Sequence, residues 1–465
     1  MSKKPNLLFF GIDSLRRNRM SLYGYERLTT PHIDNYLKEG VVFDNCFSPS
    51  IPTTPGYASM FTGMDLFTTD VVALRHVGPM TDKVRTLAEV LGDNGYNTLC
   101  VGFGQANGNA SNRGFQKYLD FAESWGGWES RPLHKAERLN DVVIPELESM
   151  AKEDKPFFIM MRYMDPHSPY LPPKPFDRLF YQGNECDKDN HSLDDLYKFK
   201  PFCDYISSWL PEGCTDAEFV NAQYDGEVAY MDTCINQVLQ KLNELGLEEE
   251  TLVVFVSDHG ETLNEHDCYY DHHGLYECTL VVPFALRFKG KLPEGVRVTD
   301  ICQLKDVMPT ILDVLGIDSG IDFDGRDLMP AVYGEPIEQE PEMYITECTW
   351  QRKHGWRTPE WKFFIALEPD LHYKPEIELY NLIKDPLELH NVADEEPEIV
   401  ELLKNRMLAH IAKREKEVGH ADPIYTNTNW NGFGHFFTSS DEAYNSLHIG
   451  SAEDAKKLQA KDNKK

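Results

Sequence analysis

Strand-length apolar runs recur at Asn6 to Ile12, Asn97 to Gly102, Pro156 to Tyr163 and Thr251 to Ser257. Segments of helical period lie between them, with Thr86 to Gly95 and Glu227 to Leu245 the clearest amphipathic helices, each ending near a glycine. Strands that are apolar on both faces need helices over both, so the pattern predicts an α/β fold, an α/β/α sandwich built on a mostly parallel sheet. In open sheets of this kind ligands sit beyond the carboxyl ends of the strands. Polar residues that follow the runs directly, Asp13, Asp165 and Asp258 among them, therefore weigh more than polar residues elsewhere.

A chain of 465 residues has room for one large α/β domain and a smaller companion. Residues 1–335 are expected to form the main domain. Within it, 171–225 is rich in prolines, aromatics and acids without clear period and reads as a cap-like insertion over the sheet. Short strands at Met343 to Thr349, Lys362 to Ala366 and Glu378 to Leu382, followed by a charged helix from Glu396 to Glu417, predict a small α+β subdomain over 336–420. Residues 421–465 read as a polar C-terminal extension.

Acidic residues outnumber basic ones by 76 to 46, a net charge of −30. That balance argues against a broad electrostatic grip on nucleic acid or an anionic membrane. An anionic small-molecule substrate would need a local inversion of sign. The ten cysteines are scattered without a C-x-x-C pair, which predicts reduced thiols and a cytoplasmic protein. No run reaches membrane-spanning length. Homo-oligomerisation is left open.

Four segments carry candidate chemistry. Asp13 follows the first run and reads equally as a hard oxygen ligand or a helix cap. Asp258-His259-Gly260-Glu261 follows the fourth run, where a turn at Gly260 lets neighbouring side chains share one ion. Glu265, His266, Asp271, His272 and His273 come soon after, a density that favours a metal site. Asp165-Pro166-His167 is a positioned acid, base or ligand, or else a structural turn. In Thr53-Thr54-Pro55-Gly56-Tyr57, Pro55 suits the first turn of a helix and places Thr53 or Thr54 at or just before its N-cap, where backbone N–H groups attract an anion.

The order Ile12-Asp13-Ser14-Leu15-Arg16, Thr30-Pro31-His32-Ile33-Asp34, Thr53 to Gly63, Thr86-Leu87-Ala88-Glu89, Asp165-Pro166-His167, Ser257 to Glu261, and His272 to Glu277 resembles the sulfatase family of the alkaline phosphatase superfamily. Asp306 to Thr310 and Glu378 to Leu382 with Asp385-Pro386-Leu387-Glu388 resemble that family's later landmarks. The likeness runs from about residue 5 to 415. It departs from the family where a sulfate would be handled. The C-x-P-x-R head whose Cys or Ser becomes formylglycine is Thr53-Thr54-Pro55-Gly56-Tyr57, the second aspartate after Asp13 is Ser14, K-W-H is Phe103-Gly104-Gln105, and a late lysine aligns with His272.

Threonine cannot become formylglycine, but it is the nucleophile of superfamily relatives that cleave phosphoryl esters. The resemblance therefore implies a metal-dependent hydrolase of phosphate monoesters or diesters, with Thr53 as nucleophile and a covalent threonyl intermediate. A hydroxyl of pKa roughly 16 needs a cation to ionise at neutral pH. Asp13, Asp258, His259 and Thr53 are the implied ligands, an O/N set that suits zinc or manganese better than calcium. Asp165, His167, His272 and His273 are implied to hold a second divalent ion or to contact the substrate, with His167 and His272 in catalytic roles. Tyr57, standing where the family has arginine, is a substrate contact or packs under its helix. Two rival readings remain: a sulfatase that works without formylglycine, and a non-catalytic binding member.

Overall fold

The first strand, β1 (Asn6–Ile12), is buried at every position, which requires a layer against each of its faces. In the computed structural model, residues 4–74, 80–102, 113–119, 135–199, 203–349, 351–370 and 372–428 are described. Along the chain there follow β2 (Val41–Phe47), β3 (Ser50–Ile51), β4 (Asn97–Val101), β5 (Lys117–Leu119), β6 (Phe157–Tyr163), β7 (Thr251–Ser257), β8 (Val281–Arg287) and β9 (Val296–Gln303). Last come β10 (Met343–Cys348), β11 (Arg352–Arg357), β12 (Trp361–Ala366) and β13 (Ile377–Asn381).

Eight strands form one sheet in the order β5-β4-β6-β1-β7-β8-β2-β9. It is parallel except around β8, which runs antiparallel to both β7 and β2. Helices Pro31–Leu37, Ala136–Met150 and Ala217–Glu244 supply the core on one face. Helices Thr53–Thr62, Leu87–Asp93 and Val307–Val314 supply it on the other. This is the sandwich the apolar runs predict.

Local chemistry sets the helix limits. Thr86 and Glu89 form a reciprocal capping box at the start of Leu87–Asp93. The long helix begins ten residues before the expected Glu227, because Asp216 caps its first turn. Gly226, inside it, serves packing. A Cβ there would lie 2.7 Å from the Phe176 carbonyl oxygen. The 171–225 segment is accordingly less irregular than expected, carrying helices Asp194–Lys198 and Cys203–Trp209 and the first turns of the long helix.

The remaining five strands form a second sheet in the order β13-β12-β11-β10-β3. The helix Pro397–Val418 covers it with Leu403, Met407 and Ile411. Strand β3 belongs to the first half of the chain yet pairs in parallel with β10, Ser50 beside Thr346 and Ile51 beside Glu347. The segment leading into Thr53 is thus held by the second sheet. Strand β11 escapes sequence reading because Arg352-Lys353-His354-Gly355-Trp356-Arg357 has no apolar run. It is buried because its charges are matched: Lys353 Nζ lies 2.5 Å from Asp370 and 3.6 Å from Glu378, and Arg357 lies 3.1 Å from Glu277. No helix among the described residues is long and apolar enough to cross a membrane.

A buried ion pair broken on one side leaves an uncompensated charge. Lys353→Met is therefore expected to lower the unfolding free energy by roughly 3–5 kcal/mol in urea titrations. Lys198→Ala, which removes a pair exposed on both sides, should leave the urea midpoint essentially unchanged.

Candidate active site

Strands β1 and β7 are parallel neighbours with Ile12 beside Ser257, so the residues after them emerge side by side at the carboxyl edge of the sheet. Asp13 and Asp258 are both fully buried there. Oδ1 of Asp258 accepts the backbone N–H groups of Ser14 at 3.2 Å and His259 at 2.9 Å. Its Oδ2 is inaccessible to solvent and has no hydrogen-bond partner. Nδ1 of His259 lies 2.8 Å from the Gly260 carbonyl oxygen. A ring nitrogen facing a carbonyl must donate, so Nε2 is the acceptor. Nε2 lies 3.1 Å from Thr53 Oγ1, 3.6 Å from Asp258 Oδ2 and 3.8 Å from Asp13 Oδ1.

Two glycines permit this closeness. A Cβ on Gly260 would stand 1.9 Å from the Cys278 carbonyl oxygen, and one on Gly56 would stand 2.8 Å from that of Asp258. The helix bearing Thr53 can therefore rest on the backbone at Asp258. The helix starts at Thr53 itself, with Pro52 at the N-cap. Thr53 thus sits one position further into the helix than Pro55 suggests, its hydroxyl turned toward His259 and not to the helix end.

Asp13, Asp258 and His259 each bring a ligand atom within 4.8 Å of the others, and His259, Glu261 and His272 form a second such group. A dry carboxylate oxygen without a partner beside an acceptor imidazole nitrogen is the donor set a divalent cation satisfies, so these residues fit one. Glu261 adds a further unpartnered oxygen, Oε2, while its Oε1 accepts the Tyr170 hydroxyl at 2.6 Å. Both groups draw on Nε2 of His259, whose single lone pair serves one ion.

The structure separates the other expected residues. His272 is in the site, its ring centroid 4.6 Å from that of His259 and 5.6 Å from that of His167. Its Nδ1 is 2.8 Å from Asp271 Oδ1 and 3.8 Å from Glu261. His167 is partly buried, with Nδ1 2.8 Å from the Ser168 carbonyl oxygen. His273 turns away to the second sheet, between Asp271 at 3.3 Å and Glu347 at 3.5 Å. Asp165 also lies elsewhere, its Oδ2 accepting the Ala136 N–H at 2.7 Å and its Oδ1 3.3 Å from Lys135 Nζ. It caps a helix, a use of a carboxylate that D-P-H alone cannot distinguish from catalysis. Tyr57 is completely buried under its helix, its ring 5.7 Å from that of Phe61 and its hydroxyl over Gly11. It forms the floor of the site.

Within the insertion, Trp209 packs on Tyr170, and Tyr181 binds Asp216 at 2.7 Å. Phe202 and the Phe103-Gly104-Gln105 segment lie outside the described residues.

Sequence reading missed Arg162. It stands in the otherwise apolar β6, where nothing about a single arginine marks it. Its Nε donates to Asp13 Oδ2 at 3.0 Å and its Nη2 donates to the same oxygen. Burial alone would raise the Asp13 carboxyl, but the Arg162 guanidinium beside it outweighs that and holds the group well below the usual range. Burial and the Asp13 charge push Asp258 up to about 6. Burial would depress His272, yet Asp271 and Glu261 raise it well above the ordinary histidine value.

A large, mostly parallel sheet under two helical layers, with Thr53 at a helix start beside a carboxylate-histidine centre at the carboxyl edge, is the frame of an ester hydrolase. Residues 5–317 match the family model described as sulfatase, and 264–415 match that of the N-sulphoglucosamine sulphohydrolase C-terminal region. The chain belongs to the sulfatase family. It is 24% identical to an arylsulfatase of Clostridium perfringens, covering 90% of this chain and 96% of that one. It is 23% identical to an endo-4-O-sulfatase of Bacteroides thetaiotaomicron, covering 91% and 94%. Among solved structures, the phosphonate monoester hydrolase of Agrobacterium radiobacter superposes with a TM-score of 0.69 at 20% identity, over 88% of this chain and 96% of that one.

A proton on Asp258 competes with a cation. With the carboxyl at about 6, affinity for Mn²⁺ should be flat above that pH and fall by about tenfold for each unit below it. Calorimetric titrations at pH 5 and pH 7.5 read this directly, and Asp258→Asn should bind weakly at both.

Proposed function

We propose that the protein hydrolyses phosphoric esters, monoester or diester, with Thr53 as the nucleophile. The observation that carries this reading is the 3.1 Å approach of Thr53 Oγ1 to Nε2 of His259, within the buried Asp13, Asp258 and His259 group. A divalent cation held by those three side chains and Thr53 would supply the Lewis acidity that a threonine hydroxyl needs near neutral pH. The mixed oxygen and nitrogen donors favour manganese or zinc over calcium. Since both candidate groups depend on the same imidazole nitrogen, we assign one ion to the site.

The chain's own residues divide the remaining work. Thr53 Oγ1, fixed at the start of its helix and ionised by loss of its proton to solvent, attacks the phosphorus as the bond to the leaving oxygen breaks, and becomes the ester oxygen of a threonyl intermediate. Threonine has a single hydroxyl, so water must release that ester by attack at the phosphorus, which restores Thr53. His272, held cationic between Asp271 and Glu261, has its ring beside those of His259 and His167 and is assigned to donate a proton to the leaving oxygen. His167 borders the same space. Burial of the whole group keeps water from screening these charges.

A second reading keeps the residues and changes the reacting atom to sulfur. It is favoured by the relatives named arylsulfatase and endo-4-O-sulfatase. Assays of an aryl phosphate, a bis-aryl phosphodiester and an aryl sulfate with Mn²⁺ or Zn²⁺ distinguish the two. The phosphoric esters should show the larger kcat/KM, and the reverse order establishes the sulfatase.

In either case Thr53→Ala should lower kcat by roughly 10³-fold or more. Retention of full activity would refute the nucleophile. His272→Gln should lower kcat by roughly 10²-fold or more on esters with poor leaving groups and by much less on nitrophenyl esters, whose leaving oxygen needs no proton.

A further inference from the structure

We infer that Arg162 is a positioning residue that decides which oxygen of Asp13 faces the cation and sets the charge of the site toward an anionic ester. This rests on the reading of Asp13, Asp258 and His259 as cation ligands. Strand β6 is buried at every position, and Arg162 lies in register beside Gly11 of β1. A guanidinium in such a place is tolerated only with a matched anion. Both of its contacts to Asp13 fall on one oxygen, Oδ2. Oδ1 accepts the Ser14 hydroxyl at 3.2 Å and is the oxygen turned to His259 Nε2. The fork thus makes Asp13 a one-oxygen ligand with a fixed direction.

The charge count has two opposed consequences. Asp13 and Asp258 together would cancel a divalent cation, so the cation, those two carboxylates and Arg162 taken together carry one positive charge. The arginine therefore weakens cation binding and strengthens attraction for an anionic substrate at the same place. It supplies a fixed positive charge in a site where the family's C-x-P-x-R arginine is Tyr57 and a late lysine is His272.

The test compares Arg162→Gln and Arg162→Lys with the parent protein, using equilibrium dialysis of Mn²⁺ and steady-state kinetics on an aryl phosphate. Arg162→Gln is expected to bind Mn²⁺ at least about tenfold more tightly while KM for the anionic ester rises by about tenfold or more. Arg162→Lys keeps the charge but not the fork, so Mn²⁺ affinity should stay within about threefold of the parent while kcat falls. A purely structural role would weaken binding and lower activity together. Unchanged or weaker Mn²⁺ affinity in a folded Arg162→Gln protein, with KM unaltered, overturns the assignment. If Arg162→Gln does not fold, an Arg162→Lys protein whose kcat equals that of the parent overturns it. Failure of the parent to take up Mn²⁺ at all would instead bring down the reading of the site, and this assignment with it.

Discussion

In-register pairing of β1 with β7 brings two carboxylates to one edge of the sheet without solvent between them. Their mutual repulsion would ordinarily drive a proton onto one of them or push them apart. Here the two are treated differently. Asp13 is pinned in its charged form by Arg162, and Asp258 is fixed by two backbone N–H groups on one oxygen while its other oxygen is left bare. The arrangement stores an unmet electrostatic demand at a fixed point, which is what a cation-binding centre requires before the cation arrives.

Sign inversion is local. The chain as a whole carries −30, yet the space around Thr53 is bounded by Arg162, by His272 held cationic, and by the start of a helix. Tyr57 lies under Gly11, and Tyr170 reaches Glu261 from the loop that follows β6. Distant carboxylates are screened over about 10 Å at ordinary salt, so a small anion near Thr53 meets chiefly these neighbours.

Much of the architecture is legible in the sequence, because strands buried on both faces are mainly apolar and β1, β4, β6 and β7 are. Strand β11 is illegible for the opposite reason: its burial is secured by ion pairs with residues far along the chain, Asp370, Glu378 and Glu277, and periodicity does not register such pairs. The same divide runs through the site. Asp13, Asp258 and His259 directly follow apolar runs and can be found by position. Arg162 and Asp165 exchange the roles their sequence settings suggest, since an arginine inside an apolar strand looks like an interruption and an aspartate after one looks like a ligand. Only the pairing of β6 with β1, and of Asp165 with Ala136, decides between them.

Strand β3 has consequences for when the protein becomes competent. Ser50 and Ile51, just ahead of Thr53, are paired with residues 346 and 347, and Glu347 also accepts the Gly274 N–H at 3.0 Å from the loop that carries His272. During synthesis the large sheet can assemble up to β9 before β10 exists, but the threonine loop has no strand partner among the described residues until the second sheet emerges from the ribosome. A nascent or prematurely terminated chain would thus carry Asp13, Asp258 and His259 without a locked Thr53, which ties completion of the site to near-complete translation.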